Sequence, residues 1–160
     1  MRESIAMEEQ EYRDTYHKLN QRRCVFEKAI SSRRCTCEKA QRFHLADREG
    51  IACKSAAGNA LCTELLNSMR RKARFALHLT QANAPLPHAK EIKVQTGGLL
   101  GLQALLHPGK AGQQNIDNAI GLIDLAMQRF GGLAELPYDG IIQAIVRFEG
   151  RRKRQRDRNS

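Results

Sequence analysis

Tryptophan is absent from the 160-residue sequence, aromatic residues make up 5% of it, and there are only four prolines. A core built from it must be aliphatic. Because 41% of the residues are hydrophobic and glycines number twelve, collagen-like, proline-rich and wholly disordered chains are excluded. No run approaches the roughly 18 apolar residues that span a bilayer, and the longest, Leu99–Leu106, is broken by Gln103. The first twenty residues are charged throughout and lack the apolar stretch of a secretory signal. Five cysteines, an odd number, do not make a complete disulfide framework. Reduced thiols in a cytoplasmic protein are the expectation.

Catalytic signatures are also scarce. Thr96-Gly97-Gly98-Leu99-Leu100-Gly101 is only loosely a phosphate loop and follows no clear strand, and Gly109-Lys110-Ala111 lacks the Ser/Thr and the leading glycine of a P-loop. Glu91, Asp117, Asp124 and Glu135 form no acid/base pair pattern. The chain reads as non-enzymatic.

What is present in quantity is positive charge, +10 in all with an isoelectric point near 9.8. It is unevenly spread: residues 1–80 carry +6, residues 81–146 carry −1 and residues 147–160 carry +5. A nearly neutral apolar body with two cationic attachments predicts polyanionic or acidic partners.

Periodicity predicts an all-α fold, a small bundle of about five helices. Tyr12, Tyr16, Leu19, Phe26 and Ile30 recur at helical steps over residues 7–31, and residues 36–49 continue helically until Gly50 breaks them. Ser55 caps a helix running to about Gln81, with Leu61, Leu65, Met69, Ala73 and Ala76 in one stripe. Ala84-Pro85-Leu86-Pro87 ends it and divides a basic, cysteine-containing region (1–84) from a neutral apolar one (85–150). In the second region Thr96-Gly97-Gly98 signals a turn, Leu99–Leu106 a short helix, and Asn115 caps a helix carrying Ile116, Ala119, Ile120, Ile123 and Met127 that stops at Gly131-Gly132. Pro137 precedes a last helix with Ile141, Ile142, Ile145 and Val146. Residues 151–160 are expected to be a disordered basic tail, and helices 115–149 to offer a face for self-association.

All five cysteines, Cys24, Cys35, Cys37, Cys53 and Cys62, fall between positions 24 and 62. Four of them converging would hold zinc or an iron–sulfur cluster, and Arg33, Arg34 and Lys39 would favour thiolates. The spacing lacks C-x-x-C. Residues two or nine apart on an unbroken helix point in opposing directions, so the competing reading is of small buried hydrophobes. His44, His78 and His88 are further donors, each more simply explained by ordinary hydrogen bonds.

Two basic blocks complete the inventory. Arg70, Arg71, Lys72 and Arg74 place four cations in five helical positions, and the tail adds Arg151, Arg152, Lys153, Arg154, Arg156 and Arg158. Such runs bind phosphates by counterion release. The leading expectation is an accessory protein that binds nucleic acid and holds a metal through its cysteines. One alternative is an iron–sulfur electron-transfer or scaffold protein docking an acidic protein; the other is a metal-free helix-packing adaptor.

Overall fold

The computed structural model describes residues 9–15, 20–78 and 86–150. The tail cations Arg151 to Arg158 therefore lie outside the described residues. The architecture is mostly helical with one small two-stranded sheet, so the all-α expectation holds only in its coarser form.

The departures lie in the first half. Residues 7–31 do not form one helix: among the described residues, 9–15 and α1 (Glu27–Ser31) are helical, while the stretch between Asn20 and Phe26 runs beside a strand. The expected helix over 36–49 is instead a hairpin of β1 (Ala40–Leu45) and β2 (Arg48–Cys53), paired antiparallel from Ala40 opposite Cys53 to Leu45 opposite Arg48. Ala46 and Asp47, at φ 49° and 69°, close it as a two-residue turn whose twist suits the flanking strands. The Asn20–Phe26 stretch augments β2: the Cys24 amide donates to the Ile51 carbonyl at 2.9 Å and the Cys53 amide to that of Arg22 at 2.8 Å. Glu9 grips Arg48 through both carboxylate oxygens, and the Arg48 guanidinium lies 4.5 Å from the centre of the Tyr12 ring, tying residues 9–15 to the hairpin.

Helix α2 (Ala56–Ala76) begins where expected, with the Ser55 hydroxyl accepting from the Gly58 amide at 2.9 Å. It buries Leu65, Leu66, Met69 and Ala73 and leaves Leu61 half-buried. Thr96-Gly97-Gly98 is not a turn. Helix α3 (His88–Ile92) continues through a π-helical turn, Lys93–Gly97, into α4 (Gly98–Leu106) without leaving helical dihedrals at the joins. The glycines serve contact rather than chain reversal. A Cβ on Gly97 would stand 2.9 Å from Ile145 Cα, and one on Gly101 2.7 Å from Ala144 Cβ, so the crossing with the last helix needs both bare.

Helix α5 (Ala119–Phe130) starts after Asn118, later than the Asn115 cap expected, and ends at Gly131, whose φ of 86° is left-handed. Residues ahead of it are held elsewhere: the Ile116 amide donates to the Arg34 carbonyl at 2.8 Å and the Ile116 carbonyl accepts from the Thr36 amide at 3.0 Å. Helix α6 (Tyr138–Arg147) buries Ile141 and Ile145. One continuous core joins Leu65, Leu66 and Met69 to Val94, Leu99, Ile123, Ile141 and Ile145, from both sides of residue 84. At about 1.5–3 kcal/mol for each fully buried large aliphatic, this core is the main stabilising feature. Among the described residues no helix is long and apolar enough to cross a membrane.

Candidate metal centre

Four of the five cysteines, Cys24, Cys37, Cys53 and Cys62, line one small cavity of about 20 Å³. That is room for about one water-sized sphere. Each thiol arrives on a different segment. Cys24 comes from the stretch laid against β2, held by its amide bond to Ile51. Cys37 sits in the loop before β1. That loop is fixed by the Ala119 amide donating to the Thr36 carbonyl at 2.9 Å, by the Thr36 hydroxyl on the Asp117 carbonyl, and by the Glu38 amide donating to Asn118 Oδ1 at 3.1 Å. Cys53 closes β2, its thiol 3.2 Å from the Ser55 carbonyl. Cys62 is one turn beyond Gly58 on α2, and both line the cavity.

Cys35 is the exception. It is buried, but its residue does not line the cavity and its thiol lies 3.5 Å from the Thr36 carbonyl. The C-x-C pair thus splits: Cys37 lines the cavity, while Cys35 does not and is held in a bridge to Ile116. None of the five is in a disulfide.

The surroundings are apolar, with Val25, Phe26, Ile30 and Ile120 in the wall. Burial pushes the Cys24 thiol up to about 12, with Cys37 and Cys53 as neighbouring charges that raise it further. Burial also takes Cys62 to about 12, reinforced by Cys37, Cys24 and Cys53, and raises Cys35 well above the usual thiol range, reinforced by Cys37, Cys24 and Cys62. Among the described residues no group of three or more His, Cys, Asp or Glu side chains is placed to hold a metal ion. The histidines do not contribute to the cavity: His88 Nδ1 is 2.9 Å from Lys28 Nζ, and His44 and His78 are exposed.

One feature of the site was not legible in advance. The first turns of both α2 and α5 border it, through Gly58 and Asn59 and through Ala119 and Ile120. Lys39 is the one charged side chain in the wall.

A second, larger groove of about 1340 Å³ shares the Cys24–Val25 wall with this cavity. Arg23, Lys28, Arg70, Arg71, Lys72 and Arg74 line it, against Glu27, Glu64 and Glu91. The expected basic block does therefore face one groove, but its members differ. Arg70 is committed to the buried Glu91 carboxylate, whereas Arg71 makes a 3.3 Å contact with the Ser68 hydroxyl and Lys72 lies 4.9 Å from the centre of the Tyr138 ring. Phe75, one turn on from Arg71, is 92% exposed. Comparison with protein-family models, curated proteins and solved structures finds no match to this chain.

Proposed function

We propose that this chain is a basic, non-catalytic accessory protein that holds a metal centre through Cys24, Cys37, Cys53 and Cys62 and engages nucleic acid through the adjoining cationic groove. One observation carries the reading: four thiols from four separate segments line a single cavity. Metal ligation gives four thiols a reason to share one cavity and would draw their sulfurs together on binding, whereas packing as small hydrophobes sets no such requirement. Ligation requires thiolates, so metal binding must displace the protons that burial holds on Cys24 and Cys62.

The nucleic-acid half rests on Arg71, Lys72 and Arg74, which line the groove, and on the exposed ring of Phe75, next in sequence. Cations that track phosphates and a ring that stacks on bases are the two parts of single-strand recognition. The tail cations, Arg151 to Arg158, add sequence-independent affinity.

The test uses the full-length chain. Purified without chelator, it carries metal, which is lost when Cys37 or Cys53 is replaced by serine. Labelled single-stranded RNA binds at low salt. The slope of log affinity against log salt falls by about 0.7 for each phosphate contact removed in Arg71→Ala and Lys72→Ala. Phe75→Ala weakens single-stranded binding more than duplex binding. A metal-bearing chain that ignores both nucleic acids at low salt ends the nucleic-acid half and favours an acidic protein partner.

A further inference from the structure

We infer that the cationic groove selects guanine within the strand it binds, with Glu64 and Asn67 as the residues that read the base, an inference that rests on the nucleic-acid reading above. Among the described residues three carboxylates line the groove beside its cations. Two are neutralised in place: Glu27 takes Arg23 at 2.7 Å, and Glu91 takes Arg70. Glu64 is the third. It is exposed on α2, and among the described residues its side chain enters no ion pair. For phosphates alone such a carboxylate is a liability, because it repels the backbone that Arg71 and Lys72 attract. A base edge rich in donors is the part of a nucleic acid that gains from it.

Asn67 follows three residues on, and side chains at that spacing are neighbours on one helix face. Its Oδ1 accepts from Arg70 Nη1 at 3.3 Å, which leaves Nδ2 to donate. Glu64 offers two acceptor oxygens and no donor. The pair therefore presents two acceptors beside a donor. The base-pairing edge of guanine is the complement: N1–H and the N2 amine donate side by side, and O6 accepts. Cytosine and adenine each set a ring-nitrogen acceptor beside one exocyclic amine, and uracil sets a single N3–H between two carbonyls. None of these gives both carboxylate oxygens a donor. Val25, Leu86, Ala134 and Tyr138 add apolar surface for the flat faces of bases. At about 1340 Å³ the groove exceeds the roughly 300–1,000 Å³ of small-molecule sites, which suits a length of strand over a free nucleotide.

The experiment measures fluorescence anisotropy of labelled RNA hexamers on the full-length chain at low salt: oligouridine, and the same strand with one central guanosine, inosine, cytidine or adenosine. The guanosine strand should bind about tenfold tighter than oligouridine, the order of one bidentate base contact. Inosine, which lacks the N2 amine, should fall between. In Glu64→Gln the guanosine advantage should largely vanish while oligouridine binds at least as tightly as before, an outcome that no misfolded variant produces. Asn67→Ala should shrink the advantage without abolishing it. Guanosine monophosphate at the concentration of the strand should leave the complex intact, and displacement there overturns the strand in favour of a free-nucleotide site. Equal affinity for all the strands overturns the guanine assignment and leaves nucleic-acid binding standing, as does a preference for cytidine or adenosine over guanosine. A rise by the same factor for every strand in Glu64→Gln also overturns it, since the carboxylate then only repels phosphate. A folded chain that binds none of the strands overturns both readings.

Discussion

The ring of Phe43 lies across Gly50, its partner in the hairpin register, so closely that a methyl group at position 50 would stand 2.3 Å from the ring's Cζ. Glycine is required here by a neighbour, not by its own dihedrals. Gly50→Ala must push the half-buried ring aside, an overpacking that costs about 1–3 kcal/mol. Urea unfolding should show a lower midpoint at unchanged slope. Because β2 ends at Cys53, metal retention should fall in the same variant, whereas Gly109→Ala, with nothing near its Cβ position, should change neither.

The crossing of α4 and its π-helical lead-in with α6 makes a graded prediction. A Cβ at Gly97 or Gly101 meets backbone or Cβ atoms of α6, which cannot turn away, while one at Gly98 meets the Sδ and Cε of Met69. Methionine is the more adaptable neighbour. Gly97→Ala and Gly101→Ala should each lose about 1–3 kcal/mol, and Gly98→Ala less. Chemical denaturation of the three variants checks the order. An equal loss at all three would mean that α6 shifts as freely as a methionine side chain.

These two places also explain what the sequence disclosed. Helices with a strong stripe were legible: Leu65, Met69 and Ala73 are buried as their spacing required, and Ser55 and Gly131 begin and end their helices. The hairpin was not, because Phe43 and Leu45 fit either period. Its two-residue turn uses Ala46 and Asp47 without the asparagine or glycine that usually marks one. Gly50 was visible as a break but not as a seat for a ring. Confinement of the cysteines to residues 24–62 pointed to a shared site, yet helical geometry argued against convergence. The hairpin removes that objection by replacing the helix, bringing Cys37 and Cys53 to one end of the sheet, where Ala40 pairs with Cys53. Exclusion of Cys35 depended on its loop being pinned to Ile116, a contact across about eighty residues that no local pattern records.

The contact between residues 9–15 and the hairpin should respond to acid. The Arg48 guanidinium beside Glu9 holds its carboxyl below the usual value of 4.5, chiefly through the hydrogen bond between them. A depressed folded value means that the contribution is present above about pH 4.5 and is lost as pH falls through the lower folded value. The pair is exposed and acts locally. Carboxyl chemical shifts should show Glu9 titrating below the usual glutamate value, and Arg48→Gln should bring it back up. Ring-current shifts from Tyr12 at Arg48 should fade over the same range while the core resonances stay unchanged.

The Arg70–Glu91 pair lies deeper in the fold. The Glu91 side chain is 8% exposed and that of Arg70 35%, and the guanidinium takes the carboxylate through two of its nitrogens. Gln95 Nε2 donates to the same carboxylate at 2.9 Å, and Gln95 Oε1 accepts from the Ala29 amide at 3.2 Å. The chain of contacts joins α1, α2 and α3. Arg70→Ala strands a buried carboxylate with one amide donor, which should cost about 1–3 kcal/mol. Glu91→Gln removes the charge but keeps the volume and should cost less. Replacing both by Met and Leu should recover most of the loss, since an apolar pair leaves no orphan charge. Arg71→Ala, one residue away on the exposed face, should leave the unfolding midpoint within about 0.5 kcal/mol of the parent while weakening RNA binding. If Arg70→Ala instead matched Arg71→Ala in both assays, Arg70 would be a phosphate contact and Glu91 would have another partner.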